Sequence, residues 1–142
     1  MIVTHAKVSG IANPADPDLV GGEDWDDPHV VTGPVLVGVA VLRIGGEGGG
    51  GILSQIAAGF ASTFTKTDTG TYRVEYLPSD YGSATPAVVV MVSRDSGSPR
   101  FVRWTLENDG DDFIKIVTID DTGDAVNVTN ANLTVLTAST SA

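Results

Sequence analysis

The sequence predicts an all-β fold: a jelly-roll or β-sandwich head, residues 33–142, behind an extended N-terminal arm, residues 1–32. Three observations lead there. Tyr72, Val74 and Tyr76 alternate with Arg73 and Glu75, the two-residue period of a half-buried strand. Short β-branched and aromatic runs recur roughly every 8–12 residues, the spacing of a sandwich or barrel. Between the runs sit clusters of Asp, Asn, Gly, Ser and Pro, the residues that form turns.

Taken in order, the arm comes first. Asn13-Pro14, Asp16-Pro17 and Asp27-Pro28 each push the residue before proline toward extended backbone. The apolar residues of the arm, Ile2, Val3, Val8, Ile11, Leu19, Val20 and Trp25, are too sparse for a core, so it must dock onto something or stay loose. Pro34–Ile44 is continuous and β-branched and reads as a strand covered on both faces. Gly45–Gly51 reads as a mobile or tightly turning loop. Ile52–Phe60 fits a helical turn or a strand equally well. Thr67–Gly70 reads as a turn, Thr71–Tyr76 as a strand and Pro86–Ser93 as a central strand. After a turn at Asp95–Pro99 comes a strand at Phe101–Leu106. Asp109-Gly110 between two β runs is a strong hairpin signal and leads into Phe113–Ile119. Asp120–Asp124 is another tight turn, and strands at Ala125–Thr129 and Asn132–Thr137 complete the set.

Several strands are apolar on both faces. In Phe113–Ile119, Phe113, Val117 and Ile119 face one way and Ile114 and Ile116 the other. A two-sheet sandwich uses one face per strand. The surplus must be covered by the arm, by Ile52–Phe60 or by another subunit, and another subunit is the expected cover for part of it. Trp104, in mid-strand, is expected in the core or at that subunit interface.

Composition and motifs exclude several functions. The chain has 142 residues, with 8 Lys and Arg against 18 Asp and Glu, a formal charge of −10. Such a chain repels phosphate backbones and anionic membrane surfaces, so neither nucleic acid nor a membrane is an expected partner. Met1–Lys7 lacks a basic flank leading into an apolar core, so export by the usual route is not expected. With no cysteine there are no disulfides, thiolate metal sites or cysteine nucleophiles. The histidines, His5 and His29, both fall in the arm, where packing or hydrogen bonding is the expected role. The acidic runs Glu23–Asp27, Asp109–Asp112 and Asp120–Asp124 lack the glutamate that closes a calcium loop and read as solvated turns. No serine occupies a Gly-x-Ser-x-Gly elbow. Acids in turns stay ionised, unlike the raised-pKa acid of a glycosidase. The expectation is a protein that is not an enzyme and takes no cofactor or metal.

Two stretches carry a family resemblance. Thr4-His5-Ala6-Lys7-Val8, then Ala15–Val30 with Leu19-Val20 and Asp24-Trp25-Asp26-Asp27-Pro28-His29, resembles the N-terminal attachment segment of many phage tail and fibre proteins. Asp26 stands where asparagine is more usual there, and Pro28 also departs from the pattern. Thr69-Gly70-Thr71-Tyr72-Arg73-Val74, Ala84–Val92 and Ile116–Gly123 are similar to the glycine-tyrosine-valine β modules at the ends of phage fibres. Those modules relate to the trimeric jelly roll of complement globular heads and tumour-necrosis-factor-like proteins. The resemblance implies a structural protein of a tailed-phage virion, made in the host bacterial cytoplasm. It implies a homotrimer fastened to a capsid or tail protein by its arm, its head displayed as a decoration or short fibre. Leu19, Val20, Trp25 and His29 are the expected docking residues, since a tryptophan anchor is a frequent interface hot spot. The alternative is a receptor-binding fibre tip that meets a host-surface glycan or protein. For that role Tyr81, beside Gly82-Ser83, is the loop aromatic.

Overall fold

The computed structural model describes residues 35–82, 85–94 and 100–139, and the short pairs 2–3 and 29–30. The chain divides into two units, residues 1–33 and 34–141. In the first, β1 (Ile2–Val3) pairs antiparallel with β2 (His29–Val30), Ile2 opposite Val30 and Val3 opposite His29. The extended course expected between these pairs lies outside the described residues.

The second unit is all β. Its strands are β3 (Val35–Gly45), β4 (Gly51–Ala58), β5 (Thr65–Asp68), β6 (Thr71–Glu75), β7 (Ala87–Arg94), β8 (Phe101–Asn108), β9 (Asp112–Ile119) and β10 (Ala131–Ser139). They form two antiparallel four-stranded sheets, ordered β4-β3-β10-β7 and β5-β6-β9-β8. The last strand, β10, inserts between β3 and β7, so the chain crosses between sheets before it closes. Among the described residues the one helical element is a 3-10 turn at Pro78–Tyr81, too short to cross a membrane.

Alternation explains the layering. Ala40, Leu42 and Ile44 of β3 and Leu133 and Val135 of β10 point inward from one sheet. Tyr72 and Val74 of β6 and Ile114 and Ile116 of β9 meet them from the other. Each such large side chain contributes roughly 1.5–3 kcal/mol by leaving water. Val88, Val90 and Val92 of β7, with Val102 and Leu106 of β8, pack against this core from the sandwich edge.

The connections follow local chemistry. Asp109-Gly110 turns β8 into β9 with Asn108 opposite Asp112, the hairpin its dipeptide predicts. The turn expected at Thr67–Gly70 is shorter, because β5 runs on to Asp68 opposite Thr71. Gly45–Gly51 is a tight turn whose glycines at 46, 48, 49 and 50 all adopt positive φ. It is pinned where the Tyr72 hydroxyl donates to the Gly50 carbonyl at 2.7 Å and the Gly50 N–H donates to Val128 O at 2.9 Å.

Pro86–Ser93, expected as a central strand, is instead β7 at the edge of its sheet, because β10 takes the place between it and β3. The open choice at Ile52–Phe60 and the strand expected at Ala125–Thr129 are decided by pairing. Ile52–Phe60 is resolved as a strand: β4 pairs along β3 from Gly51 to Ala58, supplying its backbone bonds from another strand. Ala125–Thr129 joins no ladder beyond a single bridge between Ile119 and Ala125. Its backbone is committed elsewhere, with Val126 N–H donating to Thr118 O and Val128 O accepting from Gly50.

Candidate functional site

With the inner faces spent on the core, chemistry available to a partner lies on the two outer faces. On the β5-β6-β9-β8 sheet, register sets Thr105 and Arg73 beside Lys115, Glu107 and Glu75 beside Phe113, and Arg103 and Thr71 beside Val117. Lys115 pairs with Glu107 at 3.3 Å and Arg73 with Glu75 at 3.5 Å. The Arg73 guanidinium sits 3.8 Å from the centre of the Phe113 ring. Phe113 and Val117 therefore stay 6 % and 7 % exposed on an outer face, shielded by long side chains whose charged ends remain in water. Neighbouring strands thus cover Phe113 and Val117, a source of cover other than the three expected for this face: the arm, Ile52–Phe60 or another subunit. The Thr105 hydroxyl, and after it Lys115, holds the Glu107 carboxyl below its ordinary range.

A shallow groove of about 250 Å³ crosses this face, lined by Arg103, Trp104, Thr105, Glu107, Lys115 and Val117. Trp104 lies opposite Ile116 and so on the inward side of its strand. It nevertheless stays partly exposed, because β8 is the edge of its sheet.

The outer face of the β4-β3-β10-β7 sheet is different in kind. One row across it is Ile56, Val41, Thr134 and Met91, and the next is Ala58, Val39, Leu136 and Val89. Leu36, Ala138 and Ala87 extend it at one end. Ser54, Arg43, Asn132 and Ser93 close it at the other. Ile56 is 82 % exposed, and Leu36, Val89 and Met91 are each more than half exposed. None of the four strands contains an aspartate or glutamate. Among the described side chains of this face, Arg43 is the one charge.

The residues singled out from sequence fall as follows. Leu19, Val20 and Trp25 lie outside the described residues. His29 is described only as backbone, paired with Val3 in β2. Tyr81 is fully buried, which corrects its assignment to an exposed receptor loop. Its hydroxyl hydrogen-bonds Thr137 Oγ1 at 2.9 Å, its ring stands edge-on to Tyr76, and the Ser139 hydroxyl donates to its carbonyl at 3.2 Å. A ring with its one polar atom satisfied inside gains by burial.

The Asp120–Asp124 turn uses its own acid. Asp120 Oδ1 accepts from Thr122 Oγ1 at 2.7 Å and from the N–H groups of Thr122 and Asp124 at 3.0 Å. These bonds, the Thr122 hydroxyl first, hold its carboxyl below the usual range. At the β8–β9 turn Asn108 Nδ2 donates to Asp112 Oδ1 at 3.0 Å. Among the described residues no group of three or more His, Asp or Glu is set to hold a metal ion.

The residues that reasoning from single strands did not bring together are Leu36, Val39, Val41, Ile56 and Leu136. Their signal is the absence of acids from residues 35–45, 51–58 and 131–139 in so acidic a chain. No protein-family model, curated protein or solved structure matches this chain.

Proposed function

We propose that this chain is a non-catalytic structural protein of a tailed-phage virion, a small surface-displayed decoration or short-fibre protein. In this reading it assembles as a homotrimer, and residues 1–32 fasten it to a capsid or tail protein. The observation that best supports an assembly role is the apolar outer face of the β4-β3-β10-β7 sheet, a surface that soluble monomers rarely leave bare. The acids elsewhere, in turns and on the other sheet, suit the surface displayed to water. The virion itself enters through the likeness of the arm to phage attachment segments. A receptor-binding tip loses its loop ring with the burial of Tyr81.

The test is incorporation into virions of the phage that carries this sequence. The full chain should be present in purified particles, and its copy number distinguishes decoration from tail. Trp25→Ala should lower loading. Truncating an anchoring tryptophan costs about 2 kcal/mol or more, roughly 30-fold in affinity. Deleting residues 1–32 should abolish loading and leave a soluble β-rich head. Absence of the full chain from particles, or normal loading of both variants, would overturn the reading.

A further inference from the structure

We infer that the outer face of the β4-β3-β10-β7 sheet is where copies of this chain meet, so that the occupant of this face is a second copy. The inference rests on the assembly reading above and names the partner that reading leaves open.

Size comes first. Four strands spaced about 4.8 Å apart, with about nine residues each rising about 3.3 Å, present a face of roughly 19 by 30 Å. Two such faces in contact cover on the order of 1,100 Å², enough for a specific interface. The rows Val39–Leu136–Val89 and Val41–Thr134–Met91 supply an apolar centre, and Ser54, Arg43, Asn132 and Ser93 supply one polar margin.

Charge selects the occupant. At a net charge of −10, two copies repel one another over most of their surface. The strands of the other sheet carry Asp68, Glu75, Glu107 and Asp112, matched in number by Lys66, Arg73, Arg103 and Lys115. The β4-β3-β10-β7 strands carry no acid, so on this face two copies can close without setting carboxylate against carboxylate. A basic partner would instead be drawn to the acidic turns at Asp109–Asp112 and Asp120–Asp124. The geometry suits self-association as well. Two flat apolar sheets interdigitate about 10 Å apart, as the layers of a sandwich do. Three turned inward around one axis bring the same rows together, which matches the proposed trimer.

The experiment uses the purified full chain. Light scattering and sedimentation at micromolar concentration should give a multiple of 14.7 kDa. The double variant Ile56→Lys/Met91→Lys, which sets cations on opposite edges of the face, should need at least a 100-fold higher concentration to associate, with circular dichroism unchanged. Because the chain has no cysteine, single-cysteine variants give a second readout independent of that variant's folding. Val41→Cys and Val89→Cys should be joined between copies by a short bis-maleimide, and Thr105→Cys on the other sheet should stay single. Three results would each overturn the inference: a wild-type mass of 14.7 kDa at every concentration, wild-type association of the well-folded lysine variant, or linking of Thr105→Cys as readily as Val41→Cys. No particle is involved, so a chain that associates through this face yet loads onto no virion removes the virion reading alone.

Discussion

Alkaline pH should unfold the head through its tyrosines rather than titrate them in place. The chain has three tyrosines. Burial raises the pKa of Tyr72, Tyr76 and Tyr81 alike, with the Asp112 charge adding at Tyr76 and the Thr137 hydrogen bond partly opposing at Tyr81. For Tyr72 the value moves from 10.0 to about 12. A raised folded-state pKa means that the folded chain keeps a proton the unfolded chain has lost. The associated stability is complete below pH 10.0 and is lost as pH climbs through about 12. At roughly 1.4 kcal/mol per pH unit, Tyr72 alone withdraws about 3 kcal/mol across that window, and the other two act with the same sign. A domain stable by about 5–15 kcal/mol feels such a loss strongly. Tyrosinate absorbance and far-ultraviolet circular dichroism, followed in one titration, should therefore change together and steeply. Tyr72→Phe sharpens the test. It removes the donor to the Gly50 carbonyl, costing about 1–3 kcal/mol near neutrality. It also removes the titrating group, so its deficit against wild type should shrink by about 3 kcal/mol by the end of the window. Tyrosinate forming near pH 10 in a chain with native circular dichroism would refute the argument, as would a deficit independent of pH.

Two further outcomes are expected. Gly70 sits at φ 56, and a β-carbon there would collide with the Val126 carbonyl, whereas Gly110, at φ 87, has open space around it. Denaturant titration should show Gly70→Ala losing about 2 kcal/mol or more and Gly110→Ala about 1 kcal/mol; equal losses would remove the steric argument. Asn127 accepts from the Gly70 N–H at 2.9 Å and donates to Gly48 O at 3.3 Å, tying the β5–β6 turn to the glycine loop. Asn127→Ala should lose about 1–2 kcal/mol and speed amide exchange at Gly70, and unchanged exchange there would show that the tie does not hold the turn.

Elements whose partners lie close in sequence were legible from local chemistry. Asp109-Gly110 between apolar runs fixes the β8–β9 hairpin, and the alternation of Tyr72 and Val74 fixes their inward face. Elements whose partners lie far away were not. Ile52–Phe60 satisfies two periods, and pairing with β3 decides between them. Ala125–Thr129 has the composition of a strand, but its hydrogen bonds go to Thr118 and to the glycine loop. Gly82 marks a loop at Tyr81, yet the partner that lets the hydroxyl be buried is Thr137, on β10. None of these pairings is written in the segment it controls.

The same limit governs the candidate site, and there it can be stated as a rule about neighbours. Phe113–Ile119 and Ala87–Ser93 look alike in sequence, since each is apolar on both faces. Their outer faces end differently because their neighbours do. β9 lies between β6 and β8, whose Arg73, Arg103 and Glu107 share its outer face and shield Phe113 and Val117. β7 is an edge strand beside β10, whose outer residues Thr134, Leu136 and Ala138 carry no charge and cannot reach over Val89 and Met91. Apolarity of one strand therefore does not say whether its second face needs a partner. What decides is how many long ionised side chains the flanking strands set on that face: several supply cover from within, whereas Arg43, the one charge among the described side chains there, leaves most of the β4-β3-β10-β7 outer face bare. On that criterion the acid-free β4-β3-β10-β7 sheet keeps Leu36, Ile56, Val89 and Met91 more than half exposed, and it is the face we infer to meet a second copy.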